Sequence, residues 1–172
     1  ILLVQETKTP QGNDTAEAES SARAIGWGTS IQPCKVTAKL GKTAGVAVAT
    51  RSNICLTNGS GDHADVQREH PGRLSFKKAS AMCRGGVNCG SIYCYDSVGL
   101  KAKSNLDLLH RAAGVIRGLS GPWVLGGDFN ATPAELSATG WLEVLGGIIV
   151  APSANTCNGK VYDFFVVSKS LR

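Results

Sequence analysis

The chain has 172 residues, the size of one domain, which is long enough to bury a two-layer core and gives no reason to expect a second domain. Hydrophobic residues make up 42% of it and charged residues 18%, a composition that excludes a disordered chain, and no apolar run approaches the ~20 residues needed to cross a bilayer. The formal net charge of +5 favours polyanionic partners, although scattered basic residues are equally typical of a solvated surface.

Six cysteines raise the question of disulfides. Because the sequence shows no secretory signal segment and has enough apolar residues to form a core without disulfide bonds, we expect reduced thiols and an intracellular location, in the nucleus or the cytoplasm. The C-x2-C pairing of structural zinc sites is absent around Cys83, Cys89 and Cys94, so zinc is not expected there.

Short runs rich in Val and Ile alternate with helical patterns, which predicts one layered α+β domain over residues 1–172 with many strands and few helices. The predicted strands, in chain order, are Ile1 to Gln5, Gly26 to Ile31, Ala44 to Thr50, Asn53 to Thr57, Arg73 to Lys78, Cys89 to Tyr95, Trp123 to Asp128, Gly147 to Val150 and Val161 to Val167.

Three helices are predicted between these strands. The first covers Asp14 to Ile25, with Asp14 and Glu17 as a capping box. The second covers Ser104 to Leu119, with Ser104 and Asp107 as its cap and a continuous apolar stripe. The third covers Thr132 to Ala138, and its start, T-P-A-E, places Pro at the first helical position and Glu three residues after the cap.

Asp128 and Asn130 follow the buried strand that ends in Gly126 and Gly127. Alternation along the strand puts both polar side chains on one face and turns Phe129 back into the core. A carboxylate and an amide at a strand end suit the positioning of a water molecule and the binding of an oxyanion. The same residues fit a simple Asp-x-Asn turn before the next helix, so the pattern alone leaves both interpretations open.

Glu6 ends the apolar run of the first predicted strand. Hard cations such as Mg²⁺ prefer carboxylate oxygens, and phosphodiester cleavage gains from a metal that neutralises charge on the phosphate. Glu6 is therefore a candidate metal ligand, and the alternative is an ordinary solvated carboxylate.

Five short motifs follow one another along nearly the whole chain: L-V-Q-E-T at 3–7, G-V-A-V at 45–48, S-I-Y-C-Y at 91–95, G-D-F-N at 127–130 and Y-D-F-F-V-V-S at 162–168. In order and spacing they resemble the endonuclease/exonuclease/phosphatase superfamily, which includes abasic-site endonucleases, deoxyribonuclease I, retrotransposon endonucleases and inositol phosphate phosphatases. Each motif alone is weak, and their order carries the resemblance.

This resemblance implies a four-layer sandwich of two facing mixed β-sheets flanked by helices, similar to deoxyribonuclease I, with the active site at one edge. It implies that Glu6 binds a divalent metal, Mg²⁺ or Mn²⁺, and that no small organic cofactor takes part. Asp128 would orient or deprotonate the attacking water, and Asn130 would help to hold that water and the phosphate.

The resemblance also implies roles for two residues of the later motifs. Tyr95 would contact the scissile phosphate or the leaving group, although Tyr93 lies on the same face of the strand and the family's Y-x-P reads Y-D-S here. Asp163 would accept a hydrogen bond from the family's final catalytic histidine and orient its ring. A strand aromatic and a structural carboxylate are the alternatives for these two residues.

Two parts of the family pattern have no match in this sequence: an early strand with an asparagine, and a final S-D-H motif. We therefore expect a domain that is incomplete at both ends or has decayed. The three histidines are not expected to replace the missing one, because His110 lies on the second predicted helix and His63 and His70 lie in a polar loop where a solvated role is expected.

The leading functional hypothesis is a Mg²⁺-dependent endonuclease that cuts DNA or RNA by attack of water, with nucleic acid as the partner and no membrane span. The short third helix resembles the endonuclease domains attached to reverse transcriptases. Two alternatives remain: a phosphatase acting on inositol phosphates or lipids, and a non-catalytic nucleic-acid-binding remnant, whose binding would survive chelation of Mg²⁺ and weaken steeply with salt. The oligomeric state is left undetermined by the sequence.

Overall fold

The computed structural model describes residues 1–58, 64–81, 83–157 and 159–171. Within these ranges the strands are β1 (Leu2–Gln5), β2 (Trp27–Gln32), β3 (Lys35–Val36), β4 (Lys42–Thr43), β5 (Val46–Arg51), β6 (Leu56–Asn58), β7 (Leu74–Ala79), β8 (Val87–Tyr93), β9 (Trp123–Asp128), β10 (Gly147–Val150) and β11 (Asp163–Ser168). The helices are α1 (Asn13–Ala24), α2 (Ala64–Glu69), α3 (Lys103–Gly118), α4 (Pro133–Ser137) and α5 (Trp141–Leu145), followed by a 3-10 turn at Lys169–Leu171.

Two β-sheets form the centre of the described structure. The larger sheet has the order β10-β11-β9-β8-β7-β6 and is mixed, because β8 and β9 run parallel while the other neighbours run antiparallel. The smaller sheet has the order β1-β5-β2 and is antiparallel throughout, and β3 and β4 form a separate ribbon. The predicted α+β sandwich is confirmed, although only the larger sheet is mixed.

The core explains why two sheets and a helical layer stack. Strand β8 is buried along its whole length, because one of its faces packs towards the smaller sheet and the other towards the helices. On the helical side, the apolar stripe of α3 packs with Phe76 and Leu125 of the larger sheet. On the other side, Val48 of β5 packs against Val87 and Cys89. Burying both faces requires near-continuous apolar strands, which the Val- and Ile-rich runs supply.

The long helices lie where the sequence predicts them, but their predicted caps are wrong. The residue before α1 is Gly12 and the residue before α3 is Ala102, and neither helix has a side-chain cap hydrogen bond. Asp14 instead lies inside α1 and pairs with Lys42, with Nζ and Oδ2 3.4 Å apart. The predicted start of α4 is confirmed, since Thr132 and Glu135 form a reciprocal capping box.

The end of β8 differs from the prediction in a way that matters for the site. The predicted strand extends to Tyr95, whereas β8 ends at Tyr93, the partner of Asp128 in β9. Beyond Asp128 the neighbouring chain turns away at Asn130, whose φ is 47°. Tyr95 therefore has no strand partner, and the side chain of Asn105 hydrogen-bonds to both of its backbone groups. Asn105 Oδ1 accepts the Tyr95 N–H at 2.7 Å, and Asn105 Nδ2 donates to the Tyr95 carbonyl at 3.0 Å.

Across the described ranges, no helix is both long enough and apolar enough to cross a membrane. All six cysteines have free thiols.

Candidate active site

A polar bridge joins the two sheets and places the end of β1 beside β8 and β9. The side-chain amide of Gln5 donates to Ser91 Oγ at 2.8 Å and to the Gly126 carbonyl at 3.4 Å. Ser91 Oγ in turn donates to the carbonyl of Val4 at 2.8 Å. The residue after Gln5 is Glu6, so this bridge holds the candidate metal ligand at the edge where β9 ends in Asp128.

Glu6 lies in a tight turn that holds its carboxylate over Tyr93. Its φ is 53°, and the turn is closed by Thr7 N–H donating to the Gly45 carbonyl at 3.0 Å. Gly45 is required there, because a Cβ at this position would lie 2.4 Å from Thr7 Oγ1. The Tyr93 hydroxyl donates to Glu6 Oε1 at 2.5 Å, and Lys8 Nζ lies 3.9 Å from Oε2.

Tyr93 also belongs to this site, although the family resemblance indicates Tyr95 instead. Tyr93 is 6% exposed and packs with Ala44 and Val46 between the sheets. Burial raises the pKa of Tyr93, and the hydrogen bond to the Glu6 carboxylate raises that pKa further. The phenol therefore stays protonated and donates to Glu6. Alternation alone places Tyr93 and Tyr95 on the same face, so only the observed end of β8 separates them.

Asp128 is half-buried and forms the Asp-x-Asn turn that was one of the two interpretations of the sequence. Its Oδ1 accepts the backbone N–H of Asn130 at 2.9 Å, and Asn130 Nδ2 donates to the Cys94 carbonyl at 3.1 Å. Burial raises the pKa of Asp128; the hydrogen bond from Asn130 opposes this, and the nearby carboxylates of Asp163 and Glu6 raise the pKa further. An Asp-x-Asn turn and a perturbed carboxylate thus coexist here.

Asp163 is the cross-strand partner of Asp128 at the start of β11, so both side chains emerge on the same face of the sheet. The site rests on two aromatic rings, since Phe129 and Phe164 stack with their centroids 4.3 Å apart. Pairing of β9 with β11 therefore brings Asp128 and Asp163 together, and the Gln5 bridge and the Tyr93 hydroxyl hold Glu6, the third carboxylate selected from the sequence, at the same edge.

Tyr95 and His70 form a separate pair next to this acidic edge. His70 Nδ1 and the Tyr95 hydroxyl are 3.1 Å apart, and His70 is only 6% exposed. The solvated role expected for His70 is wrong, because it follows the unpredicted helix α2 and packs inwards. His110 lies on α3 as predicted and lines a small cavity with Trp141, and His63 lies outside the described residues.

The carboxylates fit one kind of metal site. Among the described residues, no three side chains of His, Cys, Asp or Glu form a ready cluster around a cation. Mg²⁺ keeps several waters and is commonly held by one or two carboxylates together with substrate phosphates. Glu6 is exposed and oriented by Tyr93, and Asp128 and Asp163 add negative charge beside it. This set suits Mg²⁺ or Mn²⁺ better than a cation that demands an all-protein cage.

A two-sheet sandwich with carboxylates at the ends of β1, β9 and β11 defines the class of fold and site. The chain belongs to the endonuclease/exonuclease/phosphatase family, whose model matches residues 1–172. No curated protein sequence matches it.

Solved structures share this fold at low sequence identity. The human nocturnin catalytic domain with bound sulfate superposes with a TM-score of 0.62 at 15% identity, covering 98% of this chain and 68% of that domain. Beta toxin from Staphylococcus aureus gives 0.54 at 11% identity, covering 97% of this chain and 72% of the toxin. A family protein from Bacteroides thetaiotaomicron gives 0.52 at 14% identity, covering 98% of this chain and 82% of that protein. At these identities the similarity concerns the fold alone.

Proposed function

We propose that the chain is a Mg²⁺- or Mn²⁺-dependent phosphodiesterase centre that hydrolyses nucleic acid by in-line attack of water. The observation that carries this proposal is the position of Asp128 near Asp163 and Glu6, where burial raises its pKa and the neighbouring negative charges raise it further. Carboxylates gathered at one sheet edge repel one another, and a bound cation would relieve that repulsion. The family membership supports the same class of chemistry, since members generally depend on divalent metals.

The residues divide this work according to their surroundings. Glu6 would hold the metal, with the Tyr93 hydroxyl fixing one carboxylate oxygen and leaving the other towards solvent and Lys8. The metal, when bound, supplies charge that stabilises the phosphate during displacement. Asp128, with its pKa raised, is suited to orient the attacking water and take up its proton. Asn130 is fixed on the Cys94 carbonyl close to that carboxylate and would help to hold the water and phosphate.

The roles predicted for Asp163 and Tyr95 are also proposals. Asp163 faces the same edge as Asp128 and would orient the ring of a catalytic histidine, for which the sequence shows no S-D-H match. The predicted contact of Tyr95 with the phosphate or leaving group has less support, because its hydroxyl lies against His70. Tyr93 has the better-placed phenol for that contact, since it already bonds to the proposed metal ligand.

Nucleic acid is the proposed substrate because the chain carries a net charge of +5, which suits a polyanionic backbone. The test is nicking of supercoiled plasmid and cleavage of a labelled RNA by the 172-residue chain in Mg²⁺, in Mn²⁺ and in a chelator. Asp128→Ala should lower the rate by about a hundredfold or more. Glu143→Ala, which removes an exposed carboxylate on α5, is the matched control and should leave the rate unchanged.

The substrate panel includes inositol phosphates so that the two enzyme hypotheses are compared directly. Metal-dependent cleavage of plasmid or RNA that Asp128→Ala abolishes supports the proposal. Turnover of inositol phosphates without nucleic-acid cleavage would move the assignment to a phosphatase. Plasmid binding that survives the chelator, with no cleavage under any condition, would refute catalysis by this chain and favour a binding remnant.

A further inference from the structure

Arg73 is a buried cation that neither the predicted motifs nor the proposed chemistry uses. It directly precedes β7 and is 6% exposed. Among the described residues no carboxylate pairs with it: the ion pairs of this part of the chain use Arg68 with Asp65 and Arg111 with Glu69. Burying an unpaired charge is costly, so the contacts that Arg73 does make require an explanation.

The guanidinium group of Arg73 holds the end of β8 in two ways. Nη1 donates to the carbonyls of both Tyr93 and Cys94, each at 3.1 Å. The same group lies 3.7 Å from the ring centroid of Tyr95 and 4.9 Å from that of Tyr93. A planar guanidinium can stack on aromatic rings while its edge donates hydrogen bonds, which an ammonium group cannot do.

The Cys94 backbone connects Arg73 to the proposed site. Its carbonyl accepts from Arg73 Nη1 and from Asn130 Nδ2, both at 3.1 Å. Its N–H donates to the carbonyl of Asp128 at 3.0 Å. The preceding residue is Tyr93, which bonds to Glu6. A shift of the Cys94 backbone would therefore displace Asn130, which bonds to Asp128, together with Tyr93, which bonds to Glu6.

We propose that Arg73 is a positioning residue, which fixes the Tyr93–Tyr95 segment so that Asn130 and the Tyr93 hydroxyl are held in register with Asp128 and Glu6. The inference rests on the proposed phosphodiesterase function of that site. It assigns Arg73 no contact with the substrate: its effect passes through the Cys94 carbonyl and the two tyrosine rings.

The test compares Arg73→Lys and Arg73→Met with Arg68→Lys, which alters an exposed arginine on α2. Misplacement of site groups should lower kcat of the folded Arg73→Lys chain by about tenfold or more, and of Arg73→Met further. KM should change by no more than about twofold, because no substrate contact is removed. Arg68→Lys should leave both constants unchanged. A purely structural role would instead lower the melting temperature and the folded fraction, with kcat per folded molecule preserved.

A double-mutant cycle with Asn130→Ala tests the route of the effect. If Arg73 acts through Asn130, the losses in kcat from Arg73→Lys and Asn130→Ala should be clearly less than additive in free energy. Full additivity, or an Arg73→Lys chain with the parent kcat, would overturn the inference.

A readout independent of activity separates this inference from the proposed function. The side-chain amide of Asn130 is observable in ¹H–¹⁵N spectra, and its resonances should move in Arg73→Lys but not in Arg68→Lys, because Arg73 shares its acceptor. If the parent chain shows no metal-dependent cleavage, the proposed function fails while these resonances still decide the positioning. Resonances that do not move would refute the role of Arg73 even in an active enzyme.

Discussion

Gly127 has no room for a side chain, and Gly127→Ala should destabilise the fold next to Asp128. A Cβ at this position would lie 2.3 Å from Ile92 Cγ2 and 2.5 Å from the Ile92 carbonyl oxygen. Ile92 is fully buried on β8, the parallel neighbour of β9, so its backbone oxygen cannot rotate away and the two strands must separate. Overpacking of this kind costs about 1–3 kcal/mol. For a domain of this size that corresponds to a fall in melting temperature of roughly 2–12 °C.

Two further glycines provide graded controls for that prediction. At Gly126 a Cβ would meet Leu3 Cδ1 and Phe165 Cε1, each at 2.8 Å, and these side chains can move, so Gly126→Ala should cost less. Gly114 is exposed on α3 with nothing within 4 Å of its Cβ position, and Gly114→Ala should stabilise by about 0.4–1 kcal/mol. Thermal unfolding followed by circular dichroism ranks the three variants by melting temperature. A Gly127→Ala chain that melts at or above the parent temperature would refute the reasoning.

Two other predictions concern stability. Burial lowers the pKa of His70 from 6.5, so as the pH falls through 6.5 the unfolded chain binds a proton before the folded chain does. The free energy of unfolding should therefore decrease as the pH falls from about 7 to the lowered pKa. In urea unfolding, His70→Gln should flatten this pH dependence, whereas His110→Gln should not. An equally steep pH dependence of stability in His70→Gln and the parent would contradict the prediction. Thr132→Ala, which removes the α4 capping box, should cost about 1 kcal/mol while Thr132→Ser retains most of it. An unchanged unfolding midpoint for Thr132→Ala would show that the box contributes nothing.

The sequence predicts the long helices well because their signals are local. The 16 residues of α3 repeat an apolar pattern several times, whereas the 12 residues of α1 are mostly polar with alanines on one face. The observed limits of both helices differ from the predicted ones by one residue. Helices α2 and α5 have six and five residues, too few for a periodic pattern, and neither was predicted. The predicted caps of α1 and α3 are wrong because Asp14 and Ser104 are residue types that favour cap positions, whereas the fold places both inside their helices.

The acidic part of the site was predictable because strand ends are visible in the sequence. Glu6, Asp128 and Asp163 each follow or begin an apolar run, and the pairing of β9 with β11 brings the two aspartates together. Tyr93 and Arg73 were not predictable in the same way. Their contacts depend on where β8 ends, which is set by the turn at Asn130 and by Asn105, residues distant in sequence from both.

The position of Tyr93 links the chemistry of the site to the packing of the sandwich. Its hydroxyl binds Glu6, its carbonyl and ring contact Arg73, and its ring is buried with Ala44 and Val46 between the two sheets. Any change in the spacing of the sheets must therefore move the proposed metal ligand as well as the core. Because packed interiors resist small displacements, the inter-sheet core serves as the rigid support that a precisely placed carboxylate requires.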